Sequence, residues 1–173
     1  VSPAPATATI AIDVQAVTDS VSLTYTDMTT SKALTIDEDT SFDLSALLTE
    51  GFGDKSDLSE TFTYELSNVP VGSVVTIDGT PETVTASGIV SVSFTGATTP
   101  IISIAPPKDF SGDMPPITIT LKALDSDSDS TDVNPSIVTE SASVTLDLHV
   151  NPIANDVALS SPAAVPEDTP VAF

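Results

Sequence analysis

The stretch Val144-Thr145-Leu146-Asp147-Leu148-His149-Val150 alternates apolar and polar residues at a period of two. That spacing puts one set of side chains on a core and the other on a surface, as a half-buried β-strand requires. Working outward, Phe62, Tyr64 and Leu66 alternate with Thr63 and Glu65 in the same way. Val74, Val75 and Ile77 follow a Pro-Val-Gly turn, and residues 89–94, 101–105 and 117–123 read as further strands. Residues 45–50 are the one place where a short helical turn fits. Short strands separated by turn signals predict an all-β fold, an antiparallel immunoglobulin-like β-sandwich.

The deciding strand also recurs. Ala8-Thr9-Ile10-Ala11-Ile12-Asp13-Val14 leads into Gln15-Ala16-Val17-Thr18-Asp19. Val144 to Val150 leads likewise into Asn151-Pro152-Ile153-Ala154-Asn155, and Val14 falls on Val150 without a gap. Beyond it, Glu38-Asp39-Thr40 matches Glu167-Asp168-Thr169, with a longer loop around residues 26–33 in the first copy. Such self-similarity predicts a tandem array with a unit of about 130 residues. Residues 1–17 would be the end strand of a preceding repeat and 18–152 one complete sandwich domain. Residues 153–173 would be a linker and the first strand of the following repeat.

Composition narrows the function. Twenty-five acids face four lysines, giving a formal net charge of −21. Nucleic-acid binding is excluded on this balance, because phosphate contacts need Lys and Arg in number. Anionic membrane surfaces are equally poor partners, and no segment is long and apolar enough for a transmembrane helix. The first residues have neither the basic nor the apolar region of a signal peptide. Hydrophobic residues make up 40% of the chain but aromatics only 5%, with no Trp, so the core is expected from Val, Ile, Leu, Ala and a few Phe. Cysteine is absent. An extracellular domain without disulfides needs another source of stability, and a metal is the obvious one.

Four acidic clusters are expected in turns: Asp37-Glu38-Asp39; Asp54, Asp57 and Glu60; Asp109 and Asp113; and Asp125, Asp127, Asp129 and Asp132. Two carboxylates about 4 Å apart near a surface repel by roughly 4 kcal/mol at an effective dielectric of 20. Crowded acids therefore destabilise a fold unless a cation sits among them. Ca²⁺, which takes about six to eight oxygen ligands from flexible loops, is the expected cation. Any one cluster by itself is an ordinary solvated turn. The combination with the linker residues Asp19, Asn155 and Asp156, two acids and an amide, makes the case.

The order of these motifs resembles a known family. Pro106-Pro107-Lys108-Asp109-Phe110-Ser111-Gly112-Asp113, the strand after it, then Asp125-Ser126-Asp127, are similar to the second half of cadherin-like repeats in bacterial surface proteins. Val150-Asn151-Pro152-Ile153-Ala154-Asn155 resembles their linker, and Glu167-Asp168-Thr169-Pro170 the opening of their next repeat. Asp57-Leu58-Ser59-Glu60-Thr61-Phe62 and Asn68-Val69-Pro70-Val71-Gly72-Ser73 resemble motifs of giant RTX-type (repeats-in-toxin) adhesins. The resemblance implies a calcium-rigidified extender module, a structural spacer of an extracellular adhesin on the bacterial cell surface. Type I secretion and a role in cell adhesion or biofilm formation come with it. It also implies junction Ca²⁺ ligands at Asp19, Glu38, Asp39, Asp57, Glu60, Asp125 and Asp127, with Asn155, Asp156, Glu167 and Asp168 serving the next junction. Leu58 stands where the motif has glycine, and the two linkers differ, so unequal junctions are expected.

Catalysis has little to work with. The single histidine, His149, falls on the polar face of a regular strand, so nucleophile activation and zinc binding both lack their usual residues. The expectation is therefore a non-enzymatic monomer, with no small-molecule substrate, whose partners are adjacent repeats of the same polypeptide. Two alternatives are a ligand-binding adhesin module, with a cleft around residues 51–59, and an accessory β-domain of a secreted enzyme.

Overall fold

A computed structural model describes residues 3, 7–10, 18–53, 60–95, 98–126 and 137–154. The elements are β1 (Val21–Tyr25), β2 (Ser31–Asp37), β3 (Phe42–Asp43), a 3-10 turn (Ser45–Leu47), β4 (Leu48–Phe52), β5 (Glu60–Ser67) and β6 (Val74–Ile77). They continue with β7 (Thr80–Thr83), β8 (Val90–Thr95), β9 (Ile102–Ala105), β10 (Gly112–Asp113), β11 (Ile117–Ser126) and β12 (Ile137–Asn151). The chain is an all-β, predominantly antiparallel sandwich, as the alternation predicted.

The larger sheet has six strands. β12 is flanked by β11 and β10 on one side and β2 on the other, while β5 follows β11 and β8 forms the far edge. β2 runs parallel to the last part of β12, from Ser31 opposite Thr145 to Asp37 opposite Asn151. It is the only parallel pairing among the described strands. The opposing layer consists of the β1-β4 pair and the sheet β3-β9-β6-β7, connected through the 3-10 turn.

The core follows the period of two. Ile117, Ile119, Leu121 and Ala123 of β11 are fully buried, as are Val144, Leu146, Leu148 and Val150 of β12 and Phe62, Tyr64 and Leu66 of β5. Leu23, Tyr25, Leu44, Leu48, Val75, Ile102 and Ile104 are buried in the same cluster. Each large aliphatic buried in this way contributes about 1.5–3 kcal/mol. Four of the aromatics are gathered: Phe52 meets Phe62 edge-on at 4.7 Å, and Tyr64 stacks on Phe94 at 5.6 Å. Such geometries add about 0.5–1.5 kcal/mol per pair beyond burial.

Three expectations change. The helical turn expected over residues 45–50 covers only Ser45–Leu47, because Leu48 and Glu50 face inward on β4. The expected loop over residues 26–33 is shorter, since β2 already begins at Ser31 and its first residues pair with β12. Not all the acids sit in turns: Glu60 opens β5 and Asp125 lies within β11. Of the flanking segments, residues 7–10 and 153–154 are described, exposed and outside any strand, and the remainder of residues 1–17 and 153–173, apart from residue 3, lies outside the described residues.

Candidate functional site

The inward set of β11 runs Ile117, Ile119, Leu121, Ala123 and then Asp125. That of β5 runs Leu66, Tyr64, Phe62 and then Glu60. Both strands thus place a carboxylate at the last core-facing position. They do so at the same level, because Asp125 is the register partner of Glu60. Glu60 is 2% exposed and Asp125 8%. Directly opposite like charges destabilise a sheet, and buried charges require a partner.

Two further pieces of chain close over this end. The Asp125 amide donates to Thr18 Oγ1 at 3.2 Å, holding the segment before β1 against the carboxylate pair. Asp19 follows, half-buried, and the Gly53 amide donates to the Ser20 carbonyl at 2.9 Å. A Cβ at residue 53 would stand 3.0 Å from that of Asp19, so the absent side chain lets β4 approach the acid. Asp19, Glu60 and Asp125 therefore gather at one pole. The three described lysines are committed elsewhere: Lys32 to Asp27 at 2.9 Å, Lys108 to Asp109 at 3.3 Å and Lys122 to Glu65 at 2.8 Å.

Glu38 and Asp39, expected in the same ligand set, are at the opposite pole. The Glu38 amide donates to the Asn151 carbonyl at the end of β12, whereas Asp125 pairs with Val138 near its start. About 13 residues of strand, some 40 Å, separate the two levels. Within one unit the set is split. At this second pole Asp37, Asp39 and Asp113 have polar partners. Asp39, in the left-handed region at φ 59°, accepts the Asp109 amide at 3.0 Å. Asp37 accepts Asn151 Nδ2 at 3.2 Å, and Asp113 Oδ1 lies 2.5 Å from His149 Nδ1. Glu38 is the buried acid of this end, 9% exposed. His149 faces solvent on the sheet, as expected, with Asp113 as its neighbour.

Asp57, Asp127, Asn155, Asp156, Glu167 and Asp168 lie outside the described residues. Among the described residues no three His, Asp or Glu side chains converge closely enough to hold a metal. The oxygen chemistry of Asp19, Glu60, Asp125 and the Thr18 hydroxyl suits a hard cation, which would draw its remaining ligands from beyond this group. Thr18 and Gly53 were not among the expected site residues. The Gly51-Phe52-Gly53 run was their only signal.

Away from the poles, burial, with Asp147 and Asp27 nearby, pushes the Tyr25 hydroxyl up to about 12. Its oxygen is buried without a hydrogen-bond partner. Asp27 is held down to about 2 by hydrogen bonds from Thr29 and Lys32. Burial and then the Glu50 carboxylate, to which its hydroxyl donates, raise Tyr64.

No family model, curated protein or solved structure matches the chain. Among the described residues no helix is long and apolar enough to cross a membrane.

Proposed function

We propose that the chain is a calcium-stiffened structural extender of a bacterial surface adhesin. The observation that carries this reading is the buried Glu60–Asp125 pair, two carboxylates at register-paired inward positions, with the segment that carries Asp19 held to Asp125 through Thr18 and each described lysine engaged elsewhere. Ca²⁺ between them replaces repulsion by attraction and fixes the segment before β1 to the body of the domain. In a tandem array the Glu38–Asp39 pole of one unit meets the Asp19–Glu60–Asp125 pole of the next, through the linker that begins at residue 153. The ligand set that one unit splits would then come together at the junction. The mechanical result is a rod that holds a distal binding domain away from the cell. Calcium titration followed by calorimetry and small-angle scattering tests it. Binding at extracellular affinity, about 10⁻⁴–10⁻³ M, should raise the melting temperature of this chain and the length of a multi-repeat chain. A melting temperature and length indifferent to calcium would overturn the reading.

A second reading, a ligand-binding adhesin module, has one observation in its favour. A shallow cavity of about 210 Å³ lies among Ser20, Val21, Ser22, Gly51, Phe52 and Gly53, which include the described part of the 51–59 stretch. Saturable binding on a glycan array would favour it.

A further inference from the structure

The six-stranded sheet ends at β8, which pairs only with β5 among the described strands. Edge strands with unpaired amides and carbonyls invite another strand, and proteins ordinarily guard them with charge or proline. The edge of the other sheet follows that rule, since β7 is Thr80-Pro81-Glu82-Thr83. β8 does not. It reads Val90-Ser91-Val92-Ser93-Phe94-Thr95, β-branched or small residues around one aromatic, without charge or proline. Residues 83–107 contain no charged side chain, in a chain whose net charge is −21. The neighbouring strand adds little field here. Glu65, opposite Ser91, is neutralised by Lys122 at 2.8 Å, and Ile89, at the entrance of β8, is 51% exposed.

We propose that β8 is a self-pairing edge, through which two copies of the chain join antiparallel across a two-fold axis and continue one sheet into the next. A second copy is the occupant that the charge pattern selects. Copies repel one another wherever acids face acids, and this strip is where they approach without that penalty. An antiparallel pair about a two-fold is self-complementary, each strand offering the other its own donors and acceptors. Alternation sets the register, because Val90, Val92 and Phe94 must face the inner layer in both copies. The association is lateral and weak, a departure from the expected monomer. It needs no calcium and stands apart from the extender reading.

Sedimentation equilibrium over a wide concentration range, repeated at low and high NaCl, tests the proposal. A reversible monomer–dimer equilibrium is expected, tightening as salt screens the repulsion. Ser93→Glu, which sets like charges near the axis, should raise the dissociation constant about tenfold or more, while Thr83→Glu on the guarded edge should leave it unchanged. Amide exchange of wild-type chain gives an arm free of folding effects, since β8 amides should slow as concentration rises. A monomer at every concentration and salt overturns the proposal. So does a dimer indifferent to Ser93→Glu, or one whose β8 amides exchange at the same rate as in the monomer.

Discussion

Glu60 and Asp125 at one end of the sandwich, and Asp37, Asp39 and Asp113 at the other, are the same chemical group in opposite circumstances. The first two are buried at facing inward positions of adjacent strands. The other three are exposed and lie beside an amide side chain, a backbone amide and an imidazole. An acid met by donors is a finished structure, because charge-assisted hydrogen bonds offset its desolvation. An acid met by another acid is an unfinished one. Density of carboxylates along the chain does not separate the two cases, whereas strand register does.

The contrast can be broken or sharpened at four levels. The largest effect belongs to the core both poles share. Leu121→Ala should cost about 2–5 kcal/mol, measured by urea unfolding, and equally with calcium or chelator. Next comes the unfinished pole. At a tenfold excess over its dissociation constant, calcium should add about 1.4 kcal/mol per site. Glu60→Gln should abolish that increment, yet in chelator it should be no less stable than wild type, because one of two repelling charges is gone. A Glu60→Gln variant that is much weaker in chelator would show that the pair needs no cation.

At the finished pole, Asp39→Ala should cost about 1 kcal/mol through the lost Asp109 contact and the strained backbone, while Asp39→Asn, which tolerates the left-handed conformation, should retain most of it. Neither should alter the calcium response of this chain in thermal melts. If Asp39→Asn weakens that response as Glu60→Gln does, the two ends are not distinct. The smallest effects come from titration remote from both ends. Tyr25 keeps its proton to about 12 when folded against an ordinary value of 10.0, so stability should fall as pH rises through that window. Tyr25→Phe should remove that fall and be neutral or up to about 1 kcal/mol stabilising at neutral pH, its buried hydroxyl having no partner. Asp27, depressed from 3.8 to about 2, contributes stability above the higher value that is lost as pH falls through the lower. Asp27→Asn should flatten the acid limb there.

The strands around Phe62, Ile119 and Leu146 were legible because burial on one face imposes a period of two that no tertiary contact has to supply. The pairing of β2 with β12 was not, since Ser31-Lys32-Ala33 carries weak alternation and its partner lies more than a hundred positions away. The candidate site was half legible. Asp125 and Glu60 stand out as acids, but aspartate reads as a turn residue, which predicts too early an end for β11. Continuing the alternation of Leu121 and Ala123 by one step, and that of Leu66, Tyr64 and Phe62 by one step the other way, would have put both carboxylates inside. That Glu38 and Asp39 sit far from them depends on chain reversal, which local pattern does not encode.

β12 spans the molecule from pole to pole, and its final residues run parallel to β2. Tension entering through the β1–β2 end and leaving beyond Asn151 pulls these neighbours in opposite directions along their length. The seven ladder positions from Ser31 to Asp37 are then loaded in shear and must yield together, whereas an antiparallel pair pulled from one end unzips a rung at a time. Resistance to stretching is thereby concentrated in one short seam, and Pro152, immediately after it, marks where that seam stops.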